Sequence, residues 1–492
     1  MFFYNRNIEQ VLLTEKLKAG KAMTELQFFA AELTDWETSP ARKEMIDGDR
    51  YYHGDHDILK RKRTAIGKDK KSIELKMLPN NHIVDNQYAK HVDQKKNYLL
   101  GKPVTFRSDK TEYAEKVSKV LGKAFMRMLK NAGCASLNTG IAWLHPYIND
   151  EGELEFKFYS GYEILPFWKD AAHTKLDCAC RLYPVETYYG TEKRVIKKVN
   201  IFKPDGLYTY FFENGTLIPD PENAKVSYLT YTKADGKTKR YNWERIPLIP
   251  IKYNAQEIPL IRRARQMQDA INLLRSDFVN NMEEDINSTV LVLKNYDGTN
   301  LEEARANLAA YRMIKVRTHE GVSGGVDTLR IEVNAENYKI VLESLKSALI
   351  ENMRSFDGKD DRLKGSPNQM NIQSLYMDID LDANDMETEL QAAFEEILWF
   401  VNQYLANTGE GDFDGTDIDV IFNRDILINE TEAIENCGKS SGIISDETII
   451  AQHPWVTDPQ KELEKVQSQK EEEQQADPYR AAFEQGMTGD EE

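Results

Sequence analysis

Four carboxylates in the stretch DIDLDANDMETE, Asp378, Asp380, Asp382 and Glu389, fall at positions 1, 3, 5 and 12 of a calcium-binding loop. That loop turns sharply at its sixth position, where only glycine fits, and Ala383 stands there; Asp385 takes the place of the central hydrophobic residue. The same acids would suit a metal-dependent nuclease, but no histidines or lysines stand at a spacing that would support them. The stretch is therefore expected to be an acidic, solvent-facing part of a helix. Cys178 and Cys180, with His173 nearby, could ligate a metal, yet the pair equally suits a strand with small buried residues. His53 and His56 in HGDHD could chelate, or simply form a turn beside a basic loop. There is no GxxxxGK phosphate loop, GxSxG elbow, HExxH pair or paired CxxC. Catalysis is the weaker class of function, and no cofactor or metal is expected.

Composition narrows the partners. The chain of 492 residues carries a net charge of −17, the opposite of the balance in a tight nucleic-acid binder. It is compatible with a wall along which a polyanion slides without sticking. Four cysteines fit a reducing compartment. No run approaches the roughly 20 apolar residues of a membrane span, and the opening MFFYNRNIEQ is not a secretory signal.

Hydrophobic periodicity predicts helices over 8–34, 39–59, 80–101 and 112–131. The basic run Lys60, Arg61, Lys62, Arg63, Lys68, Lys70 and Lys71, against Asp69, reads as a solvated loop, with nucleic-acid contact as the alternative. From about 140 to 255 short aromatic and β-branched segments alternate with turns at KPDGL, ENGTL and KADGK, the pattern of an antiparallel meander. Then comes a long apolar stripe, Leu260, Ala264, Met267, Ile271, Leu274, Phe278 and Met282, on a helix expected over 257–285. Its intervening face, with Arg262, Arg263, Gln266 and Asp269, is expected to be partly exposed. A small unit follows at 286–333, with strands in STVLVLKNY, MIKVRT and DTLRIEV and a helix over 301–311 capped by Asn300 and Glu303. A second long helix over 335–355 carries Tyr338, Val341, Leu342, Leu345, Leu349 and Met353 on one side. The economical arrangement is an antiparallel pair with the small unit at its tip. FDGKDDRLKGSPNQMN, 356–371, is a loop; a third helix covers 371–406, a strand lies in IDVIFN, and short helices follow near 430–438 and after Ser445 or Asp446. Residues 461–492 hold ten acids against four bases, and a disordered acidic tail is expected from 466. The fold class is mixed α+β, predominantly helical and elongated.

Three stretches, LPNNHIVDNQYAKHVDQKKNYLLGKPVTF at 78–106, IPLIPIKYNAQEIP at 246–259 and FNRDILINETEAIENCGKSSGIISDETIIAQHPWVTDPQKELEKV at 422–466, carry a resemblance to the portal proteins of tailed bacteriophages. The likeness is to the long-tailed branch that infects Gram-positive bacteria, over nearly the whole chain. It implies a subunit of wing, stem, clip and crown in a ring of about twelve copies, or thirteen in isolation. The ring would sit at one capsid vertex, assembled in the host cytoplasm, with double-stranded DNA passing through its centre. The implied partners are the terminase large subunit, a head-tail adaptor, and the major capsid and scaffold proteins. By the same resemblance, 1–256 is the wing, 257–285 and 334–355 the stem helices, 286–333 the clip, 356–370 the tunnel loop, 371–406 a long wing helix, 407–465 the crown and 466–492 the acidic tail. Lys359, Arg362 and Lys364 become candidates for DNA contact, with pairing to Asp357, Asp360 and Asp361 as the alternative. The family commonly carries a glycine- and serine-rich signature after the tunnel loop; here the chain reads GSPNQMNIQSLY, departing from it at Pro367 and Gln369. Another oligomeric virion protein, a scaffold or adaptor, is the alternative, and a metal-dependent nuclease a more distant one.

Overall fold

The computed structural model describes residues 23–66, 71–74, 78–232, 238–287, 290–294, 325–329, 335–358, 369–424, 430–456 and 459–475. Lys359, Arg362 and Lys364 lie outside these residues, as do Lys68, Lys70 and the helix expected over 301–311. The chain divides into two units, 1–355 with 383–423, and 356–382 with 424–492.

In the first unit, α1 (Glu25–Thr38) begins at a capping box, Thr24 Oγ1 accepting from the Gln27 N–H while Gln27 Oε1 accepts from the Thr24 N–H. Ser39 ends it and caps α2 (Pro40–Tyr52), with Pro40 in the first turn, where its missing N–H is harmless. A 3₁₀ turn (Asp57–Lys60) and a two-stranded ribbon, β1 (Thr64–Ile66) with β2 (Ser72–Glu74), follow. Helix α3 runs Gln87–Leu100, and β3 spans Thr105–Arg107. The helix expected over 112–131 is two, α4 (Thr111–Val120) and α5 (Lys123–Thr139), separated at Leu121–Gly122.

The expected meander is present. Strands β4 (Ile141–Ile148) and β5 (Leu154–Tyr159) form one sheet, joined later by β14 (Ile249–Lys252) in the order β14-β4-β5. A larger antiparallel sheet contains β6 (Ile164–Trp168), β7 (Leu176–Tyr189), β8 (Glu192–Lys203), β9 (Gly206–Glu213) and β10 (Thr216–Pro219), in the order β10-β9-β8-β7-β6, with β11 (Lys225–Val226) also on β9. The ENGTL turn has Asn214 and Gly215 both at positive φ, 49° and 72°, the hairpin geometry that suits strand twist. Alternation along β7 sends Cys178, Cys180 and Leu182 to a core under Phe28, Phe29 and Leu33 of α1, and Ala179 to a second core with Trp143, Trp168 and Phe202. The two cysteines are thus core residues, and burial pushes the Cys178 thiol up to about 12. Strands β12 (Leu229–Thr232) and β13 (Thr238–Tyr241) form a separate hairpin.

The long stripe forms α6 (Ile261–Asn287), which leads through β15 (Val290–Lys294) and its antiparallel partner β16 (Gly325–Leu329) to α7 (Ala335–Asn352). Helix α8 (Gln369–Thr408) is the longest at 40 residues, and β17 (Asp419–Ile421) pairs with β3. The second unit ends in α9 (Glu430–Ser440), α10 (Asp446–Gln452, capped by Ser445) and α11 (Pro459–Gln475). The onset of the acidic tail needs correcting: 466–475 is helical, a continuation of the amphipathic turn begun by Leu463 and Val466.

The α5–β4 junction sets where α6 starts. Gly140 ends α5 at φ 81°, its carbonyl accepts from the Tyr253 N–H, and the Leu137 carbonyl accepts from the Leu260 N–H. A Cβ at Gly140 would stand 2.1 Å from the Glu257 carbonyl oxygen. Gly140→Ala should therefore lower stability by about 2–4 kcal/mol in thermal unfolding. Gly54→Ala, at φ 88° but in open space, should lose only about 1 kcal/mol.

Candidate functional site

The carboxylates Asp378, Asp380 and Asp382 lie within the continuous α8, where successive side chains diverge by about 100° and cannot converge as a loop's do. Asp380 is taken by the Arg424 guanidinium. Among the described residues no group of three or more His, Cys, Asp or Glu could hold a metal ion. The arrangement with functional content is instead the α6–α7 pair.

Helix α6 meets three different partners on three sides. The first is α7, which runs antiparallel to it. The Phe278 and Tyr338 rings lie 5.1 Å apart, Asn281 Nδ2 donates to the Tyr338 hydroxyl at 2.9 Å, and at the other end Asn352 Nδ2 reaches Met267 Sδ at 3.3 Å. Leu260, Ala264, Ile271 and Leu349 are buried outright, while Met267, Leu274, Phe278, Tyr338, Leu342 and Leu345 are half-buried. Val341, on the flank of α7, is 47% exposed, and Met282 is 48% exposed. Towards that end a cavity of about 300 Å³ opens between the helices, lined by Leu274, Phe278, Val279, Tyr338, Leu342 and Ile83 among others.

The second partner is a segment that periodicity misassigns. Residues 80–86 were expected within a helix because Ile83 and Tyr88 fit its stripe, but the chain is extended until Asn86 caps α3. This strap lies along α6 in the opposite direction. The N–H groups of Asn81, Ile83, Asp85 and Tyr88 donate to Asn280 Oδ1 (2.7 Å), Ser276 Oγ (3.0 Å), Asn272 Oδ1 (2.9 Å) and Gln268 Oε1 (2.9 Å). All four acceptor residues are fully buried. Gln268 also donates back to the Asp85 carbonyl at 2.8 Å, and Asn272 Nδ2 meets His56 Nδ1 at 2.8 Å. The signal in the sequence was Gln268, Asn272, Ser276 and Asn280, four uncharged polar residues repeating every four.

The third partner is α2 with the turn after it. Tyr51 donates to Asp269 at 2.6 Å, Arg265 pairs with Asp47 and Asp57 at 2.7 Å each, and Arg262 pairs with Glu44. The face carrying Arg262 and Asp269 is thus half occupied, while Gln266 is exposed. Arg50 adds a second guanidinium to the Asp47 and Asp57 carboxylates. Burial pushes Asp57 up, but Arg265 and Arg50 outweigh it and hold the group at about 2.

Asp85 joins strap, α6 and α7. It forms charge pairs with Arg275 at 2.7 Å and Lys346 at 3.0 Å. Burial raises its pKa, and the Gln87 amide with these cations reverses the shift, leaving it below the ordinary carboxylate range. Just past α7, the buried Lys95 ammonium donates to the Arg354 carbonyl at 2.9 Å, a cation at a helix C-terminus.

A family model described as "Phage portal protein, SPP1 Gp6-like" matches residues 38–476. The chain belongs to this family of phage portal proteins. It is 29% identical over 434 residues to the portal protein of Bacillus phage SPP1, covering 86% of this chain and 83% of that one. It is 27% identical over 429 residues to the portal protein of Clostridium phage phiCD119, covering 85% and 90%. Strap, helix pair and the helices that follow all lie inside the span matched to the portal family. Gln369, in the stretch GSPNQMNIQSLY, opens α8; Pro367 lies outside the described residues.

Two outcomes are expected. Asn272→Ala removes the acceptor for the Asp85 backbone N–H and the Gln268 Nε2–H at a fully buried position and should lose about 2–4 kcal/mol, with faster hydrogen exchange at Ile83 and Asp85; Gln266→Ala should stay within about 0.5 kcal/mol. Because the folded Asp57 titrates below its ordinary 3.8, its stabilisation is complete above about pH 4 and is lost as pH falls towards 2. Asp57→Asn should flatten the acid limb of stability in that window, by less than about 1 kcal/mol because the side chain is 42% exposed.

Proposed function

We propose that the chain forms a ring of about twelve copies at a single capsid vertex and that double-stranded DNA enters and leaves the head through its centre. The observation that carries this reading is the antiparallel α6–α7 pair joined through the β15–β16 ribbon, within a match to the portal family over 38–476. Side by side in many copies, such pairs give a wall about 40 Å deep, the length of α6. In this reading 257–285 and 334–355 are the stem, and 286–333 the clip, which receives the terminase large subunit during packaging and a head-tail adaptor afterwards. Residues 1–256 and 371–406 build the wing, 356–370 the tunnel loop and 407–465 the crown, towards capsid and scaffold proteins. The hosts of the two relatives, phages of Bacillus and Clostridium, favour a long-tailed phage of Gram-positive bacteria.

The mechanism needs no reacting group. A chain of net charge −17 is unsuited to gripping phosphates, so DNA is guided without being held. Lys359, Arg362 and Lys364 are assigned brief phosphate contact, and the motor that docks supplies the ATP hydrolysis.

Native mass and projection images of the purified protein should show closed rings of about twelve copies. A compact monomer under assembly conditions would overturn the reading. Replacing Lys359, Arg362 and Lys364 together by alanine should leave ring mass unchanged while lowering DNA packaged or retained per head by several-fold; unchanged packaging and retention would remove their assigned role.

A further inference from the structure

One stretch is at odds with the acidity of the rest. Residues 60–76 carry eight Lys and Arg against two acids, in a chain whose net charge is −17. The stretch starts at Lys60, the end of the 3₁₀ turn, and enters the β1–β2 ribbon, where Thr64 pairs with Glu74 and Ile66 with Ser72. Its root is fixed to α6 and the strap. Arg61 pairs with Asp277 of α6 at 2.8 Å, and the Arg61 carbonyl accepts from Asn80 Nδ2 at 3.2 Å and His82 Nε2 at 2.9 Å. Arg63 donates to the Pro79 carbonyl at 2.8 Å. The two guanidiniums therefore anchor the ribbon, and the lysines beside them are left over.

What a basic run does depends on whether the fold neutralises it. Strand β8 carries Lys193, Arg194, Lys197, Lys198 and Lys203, and each meets a carboxylate within 2.9 Å, at Glu186, Glu192, Glu37, Asp220 and Glu25. That run spends its charge inside the molecule. Lys60 and Lys62 have Asp55 at 3.6 Å and Glu74 at 3.8 Å, too long for hydrogen bonds, and their side chains are 63% and 70% exposed. Ion pairs so placed in water hold weakly, and a nearer anion displaces them. Lys71 is exposed and forms no ion pair among the described residues. The neighbouring acids Asp57 and Asp277 are already engaged, by Arg50 with Arg265 and by Arg61.

We infer that Lys60, Lys62 and Lys71 form a contact surface for the phosphate backbone of double-stranded DNA. The inference rests on the reading that duplex DNA passes this protein, and adds a place where phosphates touch it. An acidic protein is the poorer fit. Protein interfaces anchor on aromatic side chains seated in pockets, and no aromatic residue occurs between 59 and 80. Phosphate contact asks only for exposed cations on a fixed frame, and a two-stranded ribbon is an element that the major groove admits. The acidity of the whole chain does not oppose this locally, because at about 0.15 M salt charges are screened over about 8 Å. Contacts of this kind are weak and lost as salt rises, which suits DNA in transit.

The test uses the full-length protein, with ring mass measured on the same samples. Lysines are acetylated with and without a duplex of about 30 base pairs at about 50 mM salt, and peptide masses report each position. The duplex should lower acetylation of Lys60, Lys62 and Lys71 at least about threefold, and leave Lys193 and Lys197 unchanged. Lys60→Gln with Lys62→Gln and Lys71→Gln should weaken duplex binding at least about tenfold and flatten the slope of log affinity against log salt by about 2–3. Lys193→Gln with Lys197→Gln should leave affinity and slope as they are. Unchanged acetylation at the three lysines, or an unchanged salt slope in the triple variant, would overturn the inference and leave the ring reading standing. Equal protection by poly-glutamate at the same concentration of charge would also overturn it, in favour of an acidic protein. Ring assembly is read from mass, so its failure would overturn the ring reading alone.

Discussion

A numerical match between two kinds of backbone governs this protein. Four residues of α-helix rise about 6.0 Å, and two residues of extended chain advance about 6.6 Å. Side chains at every fourth position of α6 can therefore meet alternate N–H groups of a strap laid beside it, and Asn272, Ser276 and Asn280 do so at Asp85, Ile83 and Asn81, while Gln268 continues the series onto Tyr88 in the first turn of α3. The strap has no sheet to join. Without these acceptors its amides would be buried and unpaired, at about 1–3 kcal/mol each. Slipping either element by one residue would break the whole set, so the ladder fixes the register of α6 against the strap.

From that register the rest of the helix pair follows. With the strap fixed, Asp85 stands between Arg275 and Lys346, which ties α7 to the same frame, and the Tyr51–Asp269 bond with the paired arginines closes the third side. Burial on the apolar side then falls along α6 from Ile261 and Ala264, fully covered, to Met282, half exposed. Local opening begins where apolar contacts are fewest, so the anchored end should be the more protected. One helix thus combines a rigid root with a looser tip.

The sequence made one side of α6 easy to read and another hard. A stripe of Leu, Ala, Met, Ile and Phe at threes and fours has one reading, and the helix, its antiparallel companion and the meander before it were all legible from such periods. The polar stripe was not, because glutamine, asparagine and serine on a helix ordinarily face water. Its lack of charge over more than three turns, in a chain that is 29% charged, was the clue. The strap was misread for a related reason: Ile83 and Tyr88 satisfy a helical period that side-chain acceptors on another element override. The tail was misread the other way, since charged composition suggested disorder where 466–475 is helical. Lys359, Arg362 and Lys364 stand outside the described residues, and their assignment still rests on resemblance.

A hydrogen-bond ladder also does something an apolar contact cannot. Apolar contact between leucines is non-directional, so it places no angular demand on how two helices sit against each other. A buried N–H bonded at 2.9 Å to a side chain that is itself enclosed weakens steeply once its angle closes below about 120°. Sliding α6 along its axis would strain four such bonds together, all of them to fully buried acceptor residues. In the proposed ring, with α6 as a stem helix, load along the channel would act in that direction, as DNA is driven one way. Apolar packing on the α7 side lets the two helices adjust to each other, while the polar side resists displacement relative to the body of the subunit. Compliance and stiffness on adjacent faces of one helix would suit the wall of the proposed channel.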